Sequence, residues 1–445
     1  MQTDNKIWIR VAGLAIMIVA IAIAIGWVIL NGDRRLLRNV SVGATAITPN
    51  ADGVDDIVRI AYEITRNANV SIYFENEAGE RYYFRREQPR GVNEYEVLFS
   101  GVVEPYQLPD EQIQGEILAR LLQDGQYEWV IEAVDDSGVR AEERGSLLIS
   151  EADTSLPELR DYGFDRALFT PNRDGIDDRL LIQFYQTKEA RVRVYLIGEG
   201  GLEYPISELE RDIPRGAAGR HYYDYEGGVD NGAQPPADGV YEIVAESADD
   251  EGQKMRVSDT VEIRYGGVPR ADIFAPATGD TLQLSGTAIE LCNTLYFTVT
   301  VENYGNTPIR TTGPEPGTVY DSDWNYNTVG WSTASGAWRV GIGYENELSN
   351  YPYRWAVGEL DDLEEIDGYY YLMPGERAVV TGGIRLVGPF GERNPQPLWA
   401  GLIHEDVEIA QFNNRVDPQA ILVDMADEAN RESCEPRPIP ERDEQ

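Results

Sequence analysis

A stretch of this chain occurs twice. Thr48-Pro49-Asn50-Ala51-Asp52-Gly53-Val54-Asp55-Asp56 returns far downstream as Thr170-Pro171-Asn172-Arg173-Asp174-Gly175-Ile176-Asp177-Asp178. A second pair of motifs follows each copy. Asp124-Gly125-Gln126-Tyr127 leads to Asp135-Asp136-Ser137-Gly138, and Asp238-Gly239-Val240-Tyr241 leads to Asp249-Asp250-Glu251-Gly252. An ordered set of motifs that recurs at the spacing of a small domain means tandem modules. The first copy carries the longer segment between its motifs.

Between the motifs the side chains alternate. Residues 68–74 (Ala-Asn-Val-Ser-Ile-Tyr-Phe) and 190–196 (Ala-Arg-Val-Arg-Val-Tyr-Leu) each read as a strand with one face in a core and one in water. Residues 127–133 and 241–246 are further strands, each closed by an Asp-Asp-x-Gly turn, and Gly198–Gly201 reads as a turn between strands. Several short strands per module, separated by turns, predict a β-sandwich. The longer segment of the first copy is the exception. Over 109–122, Ile113, Ile117 and Leu121 stand at i, i+4 and i+8, which predicts a short amphipathic helix.

Ahead of the repeats, residues 11–30 carry no charge and are rich in Ile, Ala and Val. Such a run is long enough to cross the roughly 30 Å hydrocarbon core of a bilayer as a helix, and longer than the apolar core of a cleaved signal peptide. Trp8 and Trp27 sit near its ends, where indoles favour the interface. Lys6 and Arg10 flank one side, Arg34, Arg35 and Arg38 the other, so positive charge does not orient the span. The formal net charge is −39, which argues against nucleic acid and against docking on anionic lipid. Two cysteines, Cys292 and Cys434, suit one disulfide in an oxidising compartment, or two unpaired thiols.

At the duplicated motifs the chain resembles the Ig-like repeat of flagellar hook-capping proteins and the related gliding-associated C-terminal type. These open with Pro-Asn-x-Asp-Gly and carry a later Asp-Gly-x-Tyr strand. The middle element of that family is similar to Gly219–Gly227, with Tyr225-Glu226 standing where the family has Trp-Asp. From about Arg270 the texture changes. Residues 295–309 form a strand, an Asn-x-Gly turn (Asn303-Tyr304-Gly305) and the start of another strand, and Asn413-Asn414 precede a last strand at 420–423. This pairing resembles the bacterial cell-adhesion-related Ig-like domain. The resemblances imply three tandem Ig-like β-sandwich domains.

The expected fold class is therefore all-β, with three such domains after one N-terminal transmembrane helix. The divisions are a cytoplasmic amino terminus (1–6), a signal anchor (7–30), a juxtamembrane linker (31–40), repeats at 41–152 and 158–266, an adhesion-related domain at 270–424, and an acidic tail (425–445) mobile beyond Cys434. The stiffness of the linkers near 153–158 and 266–270 stays open.

Asn50, Asp52, Asp55 and Asp56, with Asn172, Asp174, Asp177 and Asp178, place oxygen donors around a glycine, the composition of half a calcium loop. The same residues also suit Asx-turn chemistry, which needs no cation. Otherwise no cofactor is expected. In the third module Trp324, Tyr326 and Trp331 stand beside Asp323, Asn325 and Asn327 and are candidates to stack on a sugar or peptide; burial in a core is the alternative. His221 and His404 are the only histidines, and neither stands in a catalytic motif, so no enzyme is expected. The expected function is a cell-surface protein, anchored in the membrane by one helix, that binds protein or carbohydrate and no nucleic acid. The alternatives are a structural part of an envelope or secretion assembly, and an accessory carbohydrate-active surface protein.

Overall fold

The computed structural model describes Val19 and residues 35–210, 213–345, 350–388, 393–424 and 434–439. The span expected at 7–30 lies, but for Val19, outside these residues, as does most of the tail at 425–445. No helix among the described residues is long and apolar enough to cross a membrane. From 35 onward the described residues are all-β, their helical elements being short 3-10 turns.

The first module is a sandwich of two sheets. Leu37–Val42, Val58–Ile64 and Asn93–Phe99 form one; the other runs Ala46–Ile47, Arg140–Ile149, Gly125–Asp135, Ala68–Glu75, Arg81–Arg90. Alternation decides which side chains meet between them: Val58, Ile60, Tyr62 and Ile64 are all buried, against Val70, Ile72, Phe74 and Ile131 of the facing sheet. The module begins earlier than expected, because Leu36 and Leu37, placed by sequence in a linker, are core residues.

The second module repeats this topology. Leu159–Phe164, Leu180–Gln186 and Gly219–Tyr225 face a sheet ordered Glu203–Ile206, Arg191–Ile197, Gly239–Ala248, Lys254–Ile263. The Asp-Gly-x-Tyr motif proves to be a brace at the same place in both. Tyr127 and Tyr241 donate their hydroxyls to the carbonyls of Gln123 and Ala237, four residues back, a tyrosine corner. Asp124 and Asp238 accept the backbone N–H groups of Glu151 and Ala152, and of Tyr265 and Gly266, where the chain leaves each module.

The helix expected over 109–122 is not formed. Glu116–Leu121 is a strand, paired with Val102–Val103, and this two-stranded arm adds to the sheet of the next module: Ala119, Ile117 and Glu116 pair with Lys254, Met255 and Arg256. A spacing of four is an even number, so it marks one face of a strand as well as one face of a helix. What decides is an open sheet edge in the second module, which satisfies the arm's backbone groups.

The linker at 153–158 is pinned at the same place. Gln253, fully buried, donates to the carbonyls of Asp153 (3.0 Å) and Ser155 (2.8 Å) and accepts from the amide of Leu121. Lys188 bridges Asp153, Asp249 and Glu251 at 2.8–3.1 Å. Gly115 lets the arm dock: its φ is +96°, and a Cβ there would overlap the Arg256 carbonyl. Gly115→Val is expected to cost about 2–3 kcal/mol through strain and overlap. It should release the first module from the second, read as a larger radius of gyration in small-angle scattering and new proteolysis within 153–158.

The third module has the largest core. Ala271–Ile273, Thr294–Asn303, Arg377–Arg385 and Val319–Asp321 form one sheet. The other is built around Trp338–Tyr344, Gln396–His404 and Val416–Asp424, with Ile309–Thr311 and Tyr369–Leu372 at its far side. Trp355 is fully buried between them, edge-on to Phe297 and Tyr320. The Asn-x-Gly and Asn-Asn motifs are buried ties: Asn303 bonds the carbonyls of Thr307 and Leu372, and Asn413 bonds Ala271 and Ile273. Cys292 and Cys434 form a disulfide. Beyond it, in the described part of the tail, Arg437 reaches Asp321 at 3.6 Å.

Candidate functional site

The two Asn-x-Asp-Gly loops fold alike. In the first, the Asp56 carboxylate accepts the backbone N–H groups of Asn50 (3.1 Å), Ala51 (3.0 Å) and Gly53 (2.7 Å). Asn50 and Asp52 accept from the amides of Asp52 and Val54. In the second, Asp178 accepts from Asn172, Asp174 and Gly175, Asn172 from Asp174, and Asp174 from Ile176. The last carboxylate of each motif thus has both oxygens on backbone donors. Among the described residues no group of three or more His, Cys, Asp or Glu side chains is arranged to hold a metal ion.

Backbone donors on both oxygens of Asp56 and Asp178 account for the loops as turn chemistry without a cation, so the melting temperature is expected to be the same in millimolar calcium and in chelator. Asp178→Ala is expected to cost about 2–3 kcal/mol by stranding buried N–H groups, and Asp56→Ala less, its loop being exposed. A calcium-dependent rise in melting temperature, lost in either variant, would contradict this.

The second loop is where the third module docks. Arg310 donates from Nε to the Asp174 carbonyl (2.7 Å) and from Nη2 to Ser335 (2.5 Å). Tyr371 donates its hydroxyl to the Asp174 carboxylate at 3.1 Å, and His404, stacked on Trp338, bonds the Arg173 carbonyl through Nε2 at 2.8 Å. Gly336 and Gly175 lie so close that a Cβ on either would run into the backbone opposite. Asp174 keeps 3% of its surface. Burial, with Asp178 beside it, raises its pKa to about 6. Burial likewise lowers His404 to about 4. A cavity of about 620 Å³ opens beside this joint, lined by Asp174, Asp177, Arg264, Asp367 and Tyr369 among others.

Behind the joint sits a buried charge cluster that sequence reasoning missed. Arg339 and Arg354 both bond Glu405, at 3.2 and 2.8 Å. Arg339 also bonds the carbonyls of Thr312 and Ser332, and Arg354 those of Tyr351 and Asn350. No sequence spacing signals this cluster, whose members come from three strands or their ends.

The aromatic candidates divide. Tyr326 is buried with the Arg354 guanidinium over its ring at 4.2 Å, and Trp324 is half-buried against the core with Arg437 above it. Trp331, also half-buried against the core, lines a cleft. With Tyr370, Glu315, Glu359 and Asp361 it encloses about 410 Å³, floored by Thr311–Gly313 and Ala356. Aromatic faces ringed by acceptors form a surface on which a hydroxylated or cationic group can stack and hydrogen-bond. The histidines carry structural bonds: His221 is buried between Glu208 (2.5 Å) and the Ala217 carbonyl (2.7 Å).

These elements define a multi-module β-sandwich protein with welded joints and a cleft at Trp331 in its third module. No family model matches the chain and no curated protein matches it. Solved structures similar to it include a Ca²⁺-stabilised adhesin with which an Antarctic bacterium binds ice (13% identity, 78% of this chain and 74% of that one, TM-score 0.22). Another is a Bacteroides ovatus protein of a mixed-linkage glucan utilisation locus, in complex with a heptasaccharide (12%, 86% and 67%, TM-score 0.15). A third is invasin, a bacterial integrin-binding protein (10%, 87% and 60%, TM-score 0.19). At such identities and TM-scores, function has to be read from this chain's own residues.

Proposed function

We propose that this is a bacterial surface protein of the binding or adhesion type, anchored through 7–30, whose first two modules form a stiff stalk for a ligand-receiving third. The observation that carries the reading is the build of the joints. An arm strand and a buried glutamine connect modules one and two, and a buried aspartate gripped by Arg310, Tyr371 and His404 connects modules two and three. Linkers that only tether domains are exposed and carry few contacts; these hold fixed angles, which suits a protein that must present a surface at a distance. The cleft around Trp331 supplies the surface.

Trp331→Ala is expected to weaken attachment of cells displaying the protein by about tenfold or more, the cost of losing a central aromatic from a binding cleft. Circular dichroism should still report a folded β-sandwich, with a lower melting temperature from the lost packing of Trp331 against the core. Attachment that survives removal of the cleft would favour the second reading, a structural envelope component. That reading draws support from the open loop of the first module.

A further inference from the structure

The chain contains its own comparison for the first Asn-x-Asp-Gly loop. Both loops lie at the end of their module from which the chain departs: Pro49 accepts the amide of Asp153 and Pro171 that of Gly267. Both have the same internal bonds. In the second copy the outward face is a socket. It offers the carbonyls of residues 173 and 174 and the Asp174 carboxylate, and an arginine, a tyrosine and a histidine of module three fill it.

In the first copy the corresponding face is open, because the arm at 102–121 has taken over the joint to module two. Ala51, Asp52 and Gly53 are exposed, and a Cβ on Gly53 would meet nothing within 4 Å, where one on Gly175 would strike module three. Two apolar side chains stand out in solvent here, Val54 at 62% and Ile57 at 53% exposure. The position matching Ile57 is Arg179, which is held by Asp224 and Asp230. Among the described residues nothing covers this valine and isoleucine, which stand beside three aspartates.

We propose that the loop 50–56, with Ile57, is a docking socket for a β-sheet face of a separate protein that presents an arginine and a tyrosine. The partner's guanidinium takes the Asp52 carbonyl, its phenol takes the Asp52 carboxylate, and its apolar surround covers Val54 and Ile57. The chemistry is copied from the occupied loop, and the acidic surface complements a basic visitor. A second copy of this chain is the less suitable occupant, since its one face of that kind is already covered by its own module two.

The test uses the full chain in the cells that make it, with a photo-crosslinking phenylalanine analogue at Val54 and, as a control, at Val92, which is equally exposed on the same module. The expected result is an adduct at Val54 and not at Val92. Its partner peptide should lie on a β-sheet protein beside an arginine and a tyrosine. Ile57→Asp, at an exposed position with ordinary backbone geometry, puts a charge where the apolar surround should sit and should reduce it by about tenfold or more, and Asp52→Ala should weaken it. No adduct, equal adducts at both positions, indifference to Ile57→Asp, or an adduct to residues near Arg310 of another copy would each overturn the proposal.

Discussion

Glu405→Ala is expected to lower the stability of the third module by about 3–5 kcal/mol, the largest effect of any single substitution considered for this protein. Glu405 keeps 2% of its side-chain surface and Arg339 none. Both buried guanidiniums share the Glu405 carboxylate, at 2.8 Å from Arg354 and 3.2 Å from Arg339. Burial already lowers the pKa of Arg339, and Arg354 beside it adds to that. Without the carboxylate two like charges face each other in an apolar interior, and the cost is that of an unpaired buried charge.

The loss should reach the joint as well. Glu405 exchanges backbone bonds with Gly336 and Ala337, and Gly336 abuts Asp174. The measurement is the urea midpoint of the third-module transition, with small-angle scattering to follow the joint. Glu405→Gln should fall between the wild type and Ala, because it keeps the acceptor and loses the charge. A midpoint shift equivalent to less than about 1 kcal/mol, the value of a surface ion pair, would contradict this account of the cluster.

The second large effect is a pair of opposite pH responses at the joint between modules two and three. Asp174 has a folded pKa of about 6 against an ordinary 3.8, so its contribution to stability is full below pH 4 and is lost as pH rises through 6. His404 has a folded pKa of about 4 against 6.5, so its contribution is full above pH 6.5 and is lost as pH falls through 4. Each is worth about 3 kcal/mol at most, from 1.36 kcal/mol per unit of pKa difference. In the intact protein the two oppose one another across the same window.

Asp174→Asn removes the first, so relative to wild type it should lose stability on acidification from pH 6.5 to 4. His404→Gln keeps a donor for the Arg173 carbonyl but does not titrate, and should gain over the same interval. Denaturation midpoints of the three proteins at intervals between pH 4 and 7 read this directly. Curves that stay parallel to wild type would show that neither group titrates out of register with the unfolded chain.

Much of this architecture is legible in the sequence, because the information is local. Period-two alternation at 68–74 and 190–196 is met by strands Ala68–Glu75 and Arg191–Ile197, and the last strand expected at 420–423 lies within Val416–Asp424. The duplicated loops are turn chemistry written in Asn, Asp and Gly, each bonding a backbone group within six residues. The disulfide between Cys292 and Cys434 is one of the two states the sequence allows.

What only the tertiary structure decides is everything that depends on a neighbour. Residues 109–122 carry a pattern compatible with either helix or strand, and the open edge of Lys254–Ile263 makes Glu116–Leu121 a strand. Leu36 and Leu37 look like linker until a sheet covers them. Trp324, Tyr326 and Trp331 are indistinguishable by composition, yet Tyr326 is buried while the two tryptophans are half-buried against the core, Trp331 at the wall of a cleft. The loops at 50–56 and 172–178 share nearly one sequence and one internal geometry, and still one is exposed while the other is gripped by Arg310, Tyr371 and His404. Local rules set backbone shape through bonds between near residues; burial and partnership come from contacts between residues far apart in the chain, which no short window of sequence contains.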